Sequence, residues 1–262
     1  MLIIIHIMNP KIKNWRDRKV WVIGASSGIG AETSKLLLSL GAKVAISSRN
    51  EEALNKICDS KNNCLVLPLD ITSNYEVISS SKYILNEWKK IDLVLIVAGK
   101  YHEMRSNSFN LEIAKDLINV NLYGVLNCLN AILPVLTIQG HGGIGIVSSV
   151  AGFTGLPKAL IYGPSKAALI NLCESLYYDL TGYGISTYLI NPGFVDTPAT
   201  KNNTFKMPKL ISASEAASEI IKGIEKGQFH IHFPKSFTNS LRLASLLPYK
   251  IYFFLLKKIL KI

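Results

Sequence analysis

The sequence predicts an α/β fold: a doubly wound parallel sheet of about seven strands in a single domain, followed by a C-terminal amphipathic helical tail. Three observations carry this. Short β-rich runs alternate with longer helical patterns. The strand-like runs are apolar nearly throughout, as strands buried on both faces are. A glycine-rich turn joins the first of these runs to the first amphipathic helix.

Taken in order, Lys19–Gly24, Lys43–Ser47, Cys64–Leu69, Asp92–Ala98, Gly143–Ser148, Ile185–Asn191 and Phe229–Phe233 read as strands. Helical patterns fill roughly 29–40, 74–89, 110–137, 160–181 and 213–226. No Pro/Ser/Gly-rich linker and no repeat divides the chain. The expected organisation is therefore a main domain over 15–235, a basic amphipathic tail over 236–262, and an N-terminal extension over 1–14 without a fixed place. Within that extension the apolar segment Met1–Met8 is too short to span a bilayer. It lacks the basic region and cleavage site of a signal peptide, and Met8 is an alternative start.

The net charge of +11 is concentrated at the two ends. Lys11, Lys13, Arg16, Arg18 and Lys19 against Asp17 give +4, and Lys235, Arg242, Lys250, Lys257, Lys258 and Lys261 give +6. The body between is near neutral, which does not resemble a basic stripe tracking nucleic acid. Cys58, Cys64, Cys128 and Cys173 form no C-x-x-C pair, so free structural thiols in a reducing, cytoplasmic setting are expected.

The turn reads Gly24-Ala25-Ser26-Ser27-Gly28-Ile29-Gly30. Glycines there permit a tight turn and close helix–strand packing, and the helix N-terminus offers N–H groups to a pyrophosphate. The second strand then bears on the choice of dinucleotide. A site for NAD places a carboxylate near the end of that strand to accept bonds from the ribose 2′-OH. This chain has Ser48, Arg49 and Asn50, with no acid before Glu51. Arg49 and Ser48 suit a 2′-phosphate instead, so NADP(H) is favoured over NAD(H). Asp70, with Ile71 beside it, follows the third strand and is placed to meet an adenine; a turn or helix-cap aspartate is the competing reading.

Tyr162 and Lys166 stand at i and i+4, on one face of a helix. A phenol titrates near 10 and is a poor acid/base near neutrality, and a neighbouring ammonium is expected to lower that value. Pro164 is expected in the first turn, where a missing N–H costs little. Ser148 and Ser149 end the fifth strand, thirteen residues before Tyr162 in the case of Ser149, and a hydroxyl there can hold a substrate oxygen beside the phenol. Asn121 interrupts a long helical pattern, pointing to a polar role or to a kink.

These motifs, in this order over about Val20–Phe233, resemble the short-chain dehydrogenase/reductase family, which has a Rossmann-like fold and G-x-x-x-G-x-G and Y-x-x-x-K motifs. The resemblance implies Ser149 as stabiliser of the substrate oxygen, Tyr162 as acid/base, Lys166 as modulator of the phenol and Asn121 as support for a proton-relay water. It implies that Pro192, Gly193, Val195 and Thr197 cover the nicotinamide and that Ala98 and Gly99 face the cofactor. It also implies the strand order 3-2-1-4-5-6-7. The chain departs from the family at Ile23, where Thr is usual, and at Val97, where Asn is usual. An apolar contact is expected in place of the hydrogen bond lost there.

In the tail, Lys250, Lys257 and Lys261 share one helical face, with Pro248 against a spanning helix. Such a basic amphipathic helix suits peripheral contact with an anionic membrane at its inner face; packing on the chain's own domain or across a dimer is the alternative. His230 and His232 share one side of a strand without a third ligand, so no metal is expected. The segment Pro198–Leu210, with Lys201, Phe205 and Met207, is expected to cover the substrate. The expected activity is hydride transfer between NADPH and a carbonyl or secondary alcohol of lipophilic character, in a homodimer or homotetramer. The alternatives are an NAD-dependent alcohol dehydrogenase on the same fold and a membrane-peripheral dinucleotide sensor with little catalysis.

Overall fold

The computed structural model describes residues 8–59, 62–201, 203 and 207–260, the side chains at 259 and 260 excepted. Seven parallel strands form the main sheet: β1 (Lys19–Ile23), β2 (Lys43–Ser47), β3 (Cys64–Val66), β4 (Leu93–Ile96), β5 (Gly142–Val147), β6 (Ile185–Pro192) and β9 (His230–Phe233). Their order is β3-β2-β1-β4-β5-β6-β9, the expected one, with β9 in the seventh place. A short parallel pair, β7 (Val195–Asp196) with β8 (Ile211–Ser212), stands apart from it and brackets the segment expected to cover the substrate.

Helices cover both faces because each parallel connection must cross over the sheet. One face carries α1 (Gly28–Ser39) and α7 (Ala213–Glu225), the other α3 (Asn74–Trp88), α4 (Leu111–Ile118), α5 (Gly124–Gln139) and α6 (Tyr162–Thr181). Val20, Val22, Val44 and Ile46 point to the first layer, and Trp21, Ile23 and Ala45 to the second. The alternation of faces along apolar strands is the period-2 geometry of a strand buried on both sides. The run Leu111–Gln139 is long and apolar enough to cross a membrane, but its Val125, Leu129, Ile132 and Leu136 are core residues of the second layer.

The structure adds a helix absent from the sequence reading, α2 (Glu51–Cys58). Asn50 caps it by accepting from the Ala53 N–H at 3.0 Å, and Glu51 and Glu52 occupy its positive end. The expected free thiols at Cys58 and Cys64 are corrected: the two are joined by a disulfide that ties the end of α2 to the start of β3, with Cα atoms 5.5 Å apart. Only Cys128 and Cys173 are free, and both are buried.

Residues 1–7 lie outside the described residues. Asn9, in the segment expected to have no fixed place, is buried and fixed at both ends of its amide. Its Nδ2 donates to the Thr187 carbonyl at 2.8 Å and its Oδ1 accepts from the Thr187 N–H at 3.3 Å. Trp15, also buried, donates from its indole to Glu225 at 2.9 Å. The N-terminal stretch is thereby strapped across β6 and the end of α7.

At the C-terminus, α8 (Lys235–Ser245) and α9 (Tyr249–Leu260) fold back over the carboxyl ends of the strands. The Tyr252 hydroxyl donates to the Gly155 carbonyl at 2.8 Å, and Leu241 and Tyr252 are buried. The tail therefore packs on its own domain, as one of the two sequence readings had it.

Candidate active site

A single continuous cavity of about 1400 Å³ opens at the carboxyl ends of β1, β2, β4, β5 and β6. It exceeds the ~300–1,000 Å³ usual for one small ligand. Its floor at one end is the turn from Gly24 to Gly30. Gly24 has φ +96°, and a Cβ on it would lie 2.4 Å from the Ala98 nitrogen; a Cβ on Gly30 would lie 2.1 Å from the Gly24 carbonyl oxygen. No other residue type fits either place without moving backbone. Ser26, Ser27, Gly28 and Ile29 line the cavity above them.

Helix α1 begins at Gly28, and Ser27, its N-cap, makes no side-chain bond into the first turn. No acidic residue stands in that turn either. Its backbone N–H groups are thus free of side-chain caps, and the positive end of the helix faces the cavity. This arrangement fits the pyrophosphate of a dinucleotide. Farther along, Ser48, Arg49, Asp70 and Ile71 border the same cavity. Arg49 is largely exposed and stands 3.8 Å from the Asp70 carboxylate. Burial alone would raise the Asp70 carboxyl, but bonds from Thr72 N–H (2.9 Å) and Thr72 Oγ1 (2.8 Å), with the Arg49 charge, bring it below its ordinary value. Asp70 is therefore the turn aspartate of the second reading and borders the cavity as well.

The two departures from the family pattern resolve differently from expectation. Ile23 belongs to the core on one face of the sheet and Val97 packs against the core on the other, so no apolar pair forms between them. The Ile23 carbonyl instead accepts from the N–H groups of both Val97 (2.8 Å) and Ala98 (2.9 Å), and backbone bonds join β1 to β4 here.

The middle of the cavity holds Ser149, Tyr162 and Lys166. Ser148 and Ser149 point opposite ways from the end of β5: Ser148 Oγ donates to the Lys166 carbonyl at 2.7 Å, beneath α6, while the Ser149 hydroxyl is hydrogen-bonded to Tyr162. Tyr162 opens α6, which sets Pro164 in the first turn as expected. Lys166 follows one turn later, buried, with Nζ 5.8 Å from the Tyr162 ring centroid and 3.0 Å from the Val147 carbonyl that it donates to. Gly99 leaves room for that ammonium: a Cβ there would lie 3.2 Å from Nζ.

The expected lowering of the Tyr162 phenol by Lys166 is not what the structure displays. Burial pushes the phenol above its ordinary value, and only the Ser149 bond opposes this. Burial also lowers Lys166, to about 8. Desolvation disfavours the charged form of each, and Lys166 turns its ammonium to a backbone carbonyl rather than to the hydroxyl.

Asn121 sits in a π-helical turn (Asn119–Tyr123) between α4 and α5, so the kink and the polar role coincide. Its amide is buried. Oδ1 accepts from the Lys100 N–H at 2.7 Å, while Nδ2 donates to the Lys100 carbonyl at 2.9 Å and to Ser165 Oγ at 3.1 Å. Ser165 in turn donates to the Tyr162 carbonyl at 2.7 Å. Asn121 thus links the loop after β4 to the turn that carries Tyr162.

Over the cavity lies the strand-end segment of Pro192, Gly193, Val195 and Thr197. Gly193 N–H donates to the Phe233 carbonyl at 2.7 Å. Thr200, unnoticed in the sequence, fastens this segment: its Oγ1 donates to the Val195 carbonyl at 2.7 Å and accepts from the Thr197 N–H at 3.1 Å. Phe205 lies outside the described residues. The remaining wall comes from residues the sequence reading did not assign to the site: Tyr101, and Phe237, Leu241, Tyr252, Leu255 and Leu256 of the tail. The signal for the tail residues was their spacing, i and i+4 in α8 and i, i+3 and i+4 in α9, which puts each set on one face. Among the described residues no group of three potential ligands could hold a metal ion.

The short chain dehydrogenase family model matches residues 18–207. An uncharacterised oxidoreductase of Staphylococcus epidermidis is 33% identical over 207 residues, covering 79% of this chain and 90% of that protein. Another, from Myxococcus xanthus, is 32% identical over 235 residues, covering 88% and 93%. Among solved structures, a short chain dehydrogenase from Burkholderia cenocepacia in complex with NADP superposes with a TM-score of 0.82 at 24% identity, over 93% of this chain and 98% of that one.

Proposed function

Since the chain belongs to the short chain dehydrogenase family, we propose that it is an NADP(H)-dependent oxidoreductase that interconverts a carbonyl compound and a secondary alcohol. The observation that carries this reading is the Ser149–Tyr162 hydrogen bond with the Lys166 ammonium 5.8 Å from the phenol ring, all in one cavity with an uncapped helix N-terminus. The bound dinucleotide would supply or accept the hydride. The turn from Gly24 to Gly30 and the first turn of α1 would hold its pyrophosphate, and Ala98, Gly99, Pro192, Gly193, Val195 and Thr197 its nicotinamide half.

In reduction, Tyr162 donates its proton to the substrate oxygen as that oxygen gains charge; in oxidation it takes the proton back. Burial keeps the phenol protonated, which is the state a proton donor requires. Ser149, bonded to the same hydroxyl, holds the substrate oxygen beside it and stabilises the developing alkoxide. Lys166 places a positive charge near the phenolate left behind. Asn121 and Ser165 position the turn that carries Tyr162.

The preference for NADP(H) is supported by Arg49 and Ser48 bordering the cavity where an NAD site has a carboxylate. The complex of the Burkholderia protein with NADP is consistent with it. A lipophilic substrate suits the Leu241, Tyr252, Leu255 and Leu256 wall. The test is NADPH oxidation against carbonyl compounds from small aldehydes to long-chain and steroidal ketones, with Tyr162→Phe beside the native protein. Turnover of one class, reduced ~100- to 10,000-fold in the variant with cofactor binding kept, is expected. Undiminished turnover in Tyr162→Phe would overturn the assignment.

A further inference from the structure

Helix α9 has two unlike sides. Tyr252 is buried, and Leu255 and Leu256, about 40–60° away around the helix, line the cavity with it. On the opposite side stand Lys250, Phe254, Lys257 and Lys258, with Phe253 next to them; all five are exposed. Phe254 is 65% exposed, and the patch continues through Tyr249 at 77%, Leu246 at 80% and Leu243 at 67%. Arg242 adds a fourth exposed cation. Among the described residues none of these cations pairs with an acid, and the sequence has no Asp or Glu after Glu225.

Large aromatic and aliphatic side chains interleaved with lysines suit the boundary between lipid headgroups and acyl chains, where apolar side chains enter and ammonium groups reach back to the phosphates. A second copy of the chain is a poorer occupant. A two-fold contact through this face would bring Lys250, Lys257 and Lys258 against their own copies, with no acid in α8 or α9 to neutralise them. An aqueous acidic partner would answer the lysines but not Leu246, Phe253 and Phe254.

We propose that α8 and α9 form a docking element for anionic bilayers. The outer side of the element seats in the headgroup layer while its inner side remains the wall of the cavity. The docking itself stands independently of the hydride-transfer reading, because it uses none of the residues assigned there to proton or cofactor handling.

The test is co-sedimentation of the full chain with vesicles of phosphatidylcholine alone and of equimolar phosphatidylcholine and phosphatidylglycerol, alongside sedimentation velocity without lipid. The chain should pellet with the anionic vesicles, stay in solution with the neutral ones, and be released by salt. Each lysine near the surface contributes about fivefold to partitioning, so joint replacement of Lys250, Lys257 and Lys258 by Gln should weaken it on the order of 100-fold. Phe253→Ser with Phe254→Ser should weaken it separately, and NADPH binding, followed by fluorescence, should be unchanged in both variants. Absence of pelleting with anionic vesicles, or pelleting untouched by the lysine replacements, overturns the proposal. So does a lipid-free dimer that the Phe253/Phe254 variant dissociates, which assigns the face to a second copy.

Discussion

Tyr101 stands edge-on to Tyr162, their ring centroids 4.9 Å apart and their planes at 88°. Burial, then the charge of Glu103 and then Tyr162 itself, push the Tyr101 phenol up to about 12, so it stays neutral across the working range. Its ring is a wall that fixes the Tyr162 ring. An edge-to-face pair contributes ~0.5–1.5 kcal/mol. Tyr101→Ala should lower kcat severalfold, while Tyr101→Phe, which keeps the ring, should leave it within about twofold of the native value. Steady-state NADPH oxidation with a responding carbonyl substrate checks both.

Lys166 costs the fold stability. Its ammonium is buried and titrates near 8 rather than at the ordinary 10.5, a difference worth roughly 3 kcal/mol below pH 8. Lys166→Met should therefore abolish turnover yet raise stability at pH 7 by ~1–3 kcal/mol, allowing for the bond lost to the Val147 carbonyl. The sign with pH follows from linkage. Between about 8 and 10.5 the unfolded native chain binds more protons than the folded one, so native stability rises with pH. The advantage of the variant should shrink over the same window in urea titrations.

Arg49→Asp should weaken NADPH selectively. Charge-assisted bonds contribute about 1.5–3 kcal/mol, or roughly 10- to 100-fold in affinity. Binding of NADH should hold steady or improve, since the new carboxylate can accept from a ribose hydroxyl. Fluorescence titration with each cofactor measures this, and an equal loss for both would remove the 2′-phosphate assignment.

His230 supplies an acid-side prediction. Burial first, then the neighbouring His232 and the Arg242 charge, lower it to about 3. The unfolded chain takes up a proton near pH 6.5 that the folded chain refuses until about pH 3, so stability falls as pH drops through that interval. His230→Leu should move the midpoint of acid unfolding to lower pH, measured by circular dichroism.

Asn121→Ala should cost ~1–3 kcal/mol, because the N–H and carbonyl of Lys100 lose their partner in a part-buried place. Turnover should fall with it, since the link from the β4 loop through Ser165 to Tyr162 is cut. Asn121→Asp restores an acceptor for the Lys100 N–H alone and should recover only part of both in urea unfolding and in kinetics.

The strands themselves and the cluster of Ser149, Tyr162 and Lys166 could be read in advance because each rests on local pattern, whereas the order of the strands in the sheet came only from the family resemblance. Apolar runs mark two-sided burial, and a four-residue spacing fixes a helix face. Helix α2 escaped because eight residues give barely two turns of pattern, although Asn50 and the two glutamates behind it were a legible start signal. The Cys58–Cys64 pairing depended on how α2 turns into β3, which spacing alone does not reveal. The shifts at Tyr162 and Lys166 were out of reach for another reason. Sequence adjacency announces that two charges are neighbours, whereas the depth of burial that dominates both groups is a property of the assembled layers.

The strand order also has a consequence for synthesis on the ribosome. As the chain emerges, β2 joins one edge of β1 and β3 extends that side; β4 then takes the other edge, and β5, β6 and β9 follow outward in turn. Every new strand meets an edge already made by an earlier one, so the sheet can grow vectorially without waiting for a distant partner. Asn9 is the exception. It emerges among the first described residues, but its partner Thr187 lies 178 residues on, in the next-to-last strand. The N-terminal strap is therefore a late latch: its Asn9 end waits for β6, and its Trp15 end waits for Glu225 at the end of α7.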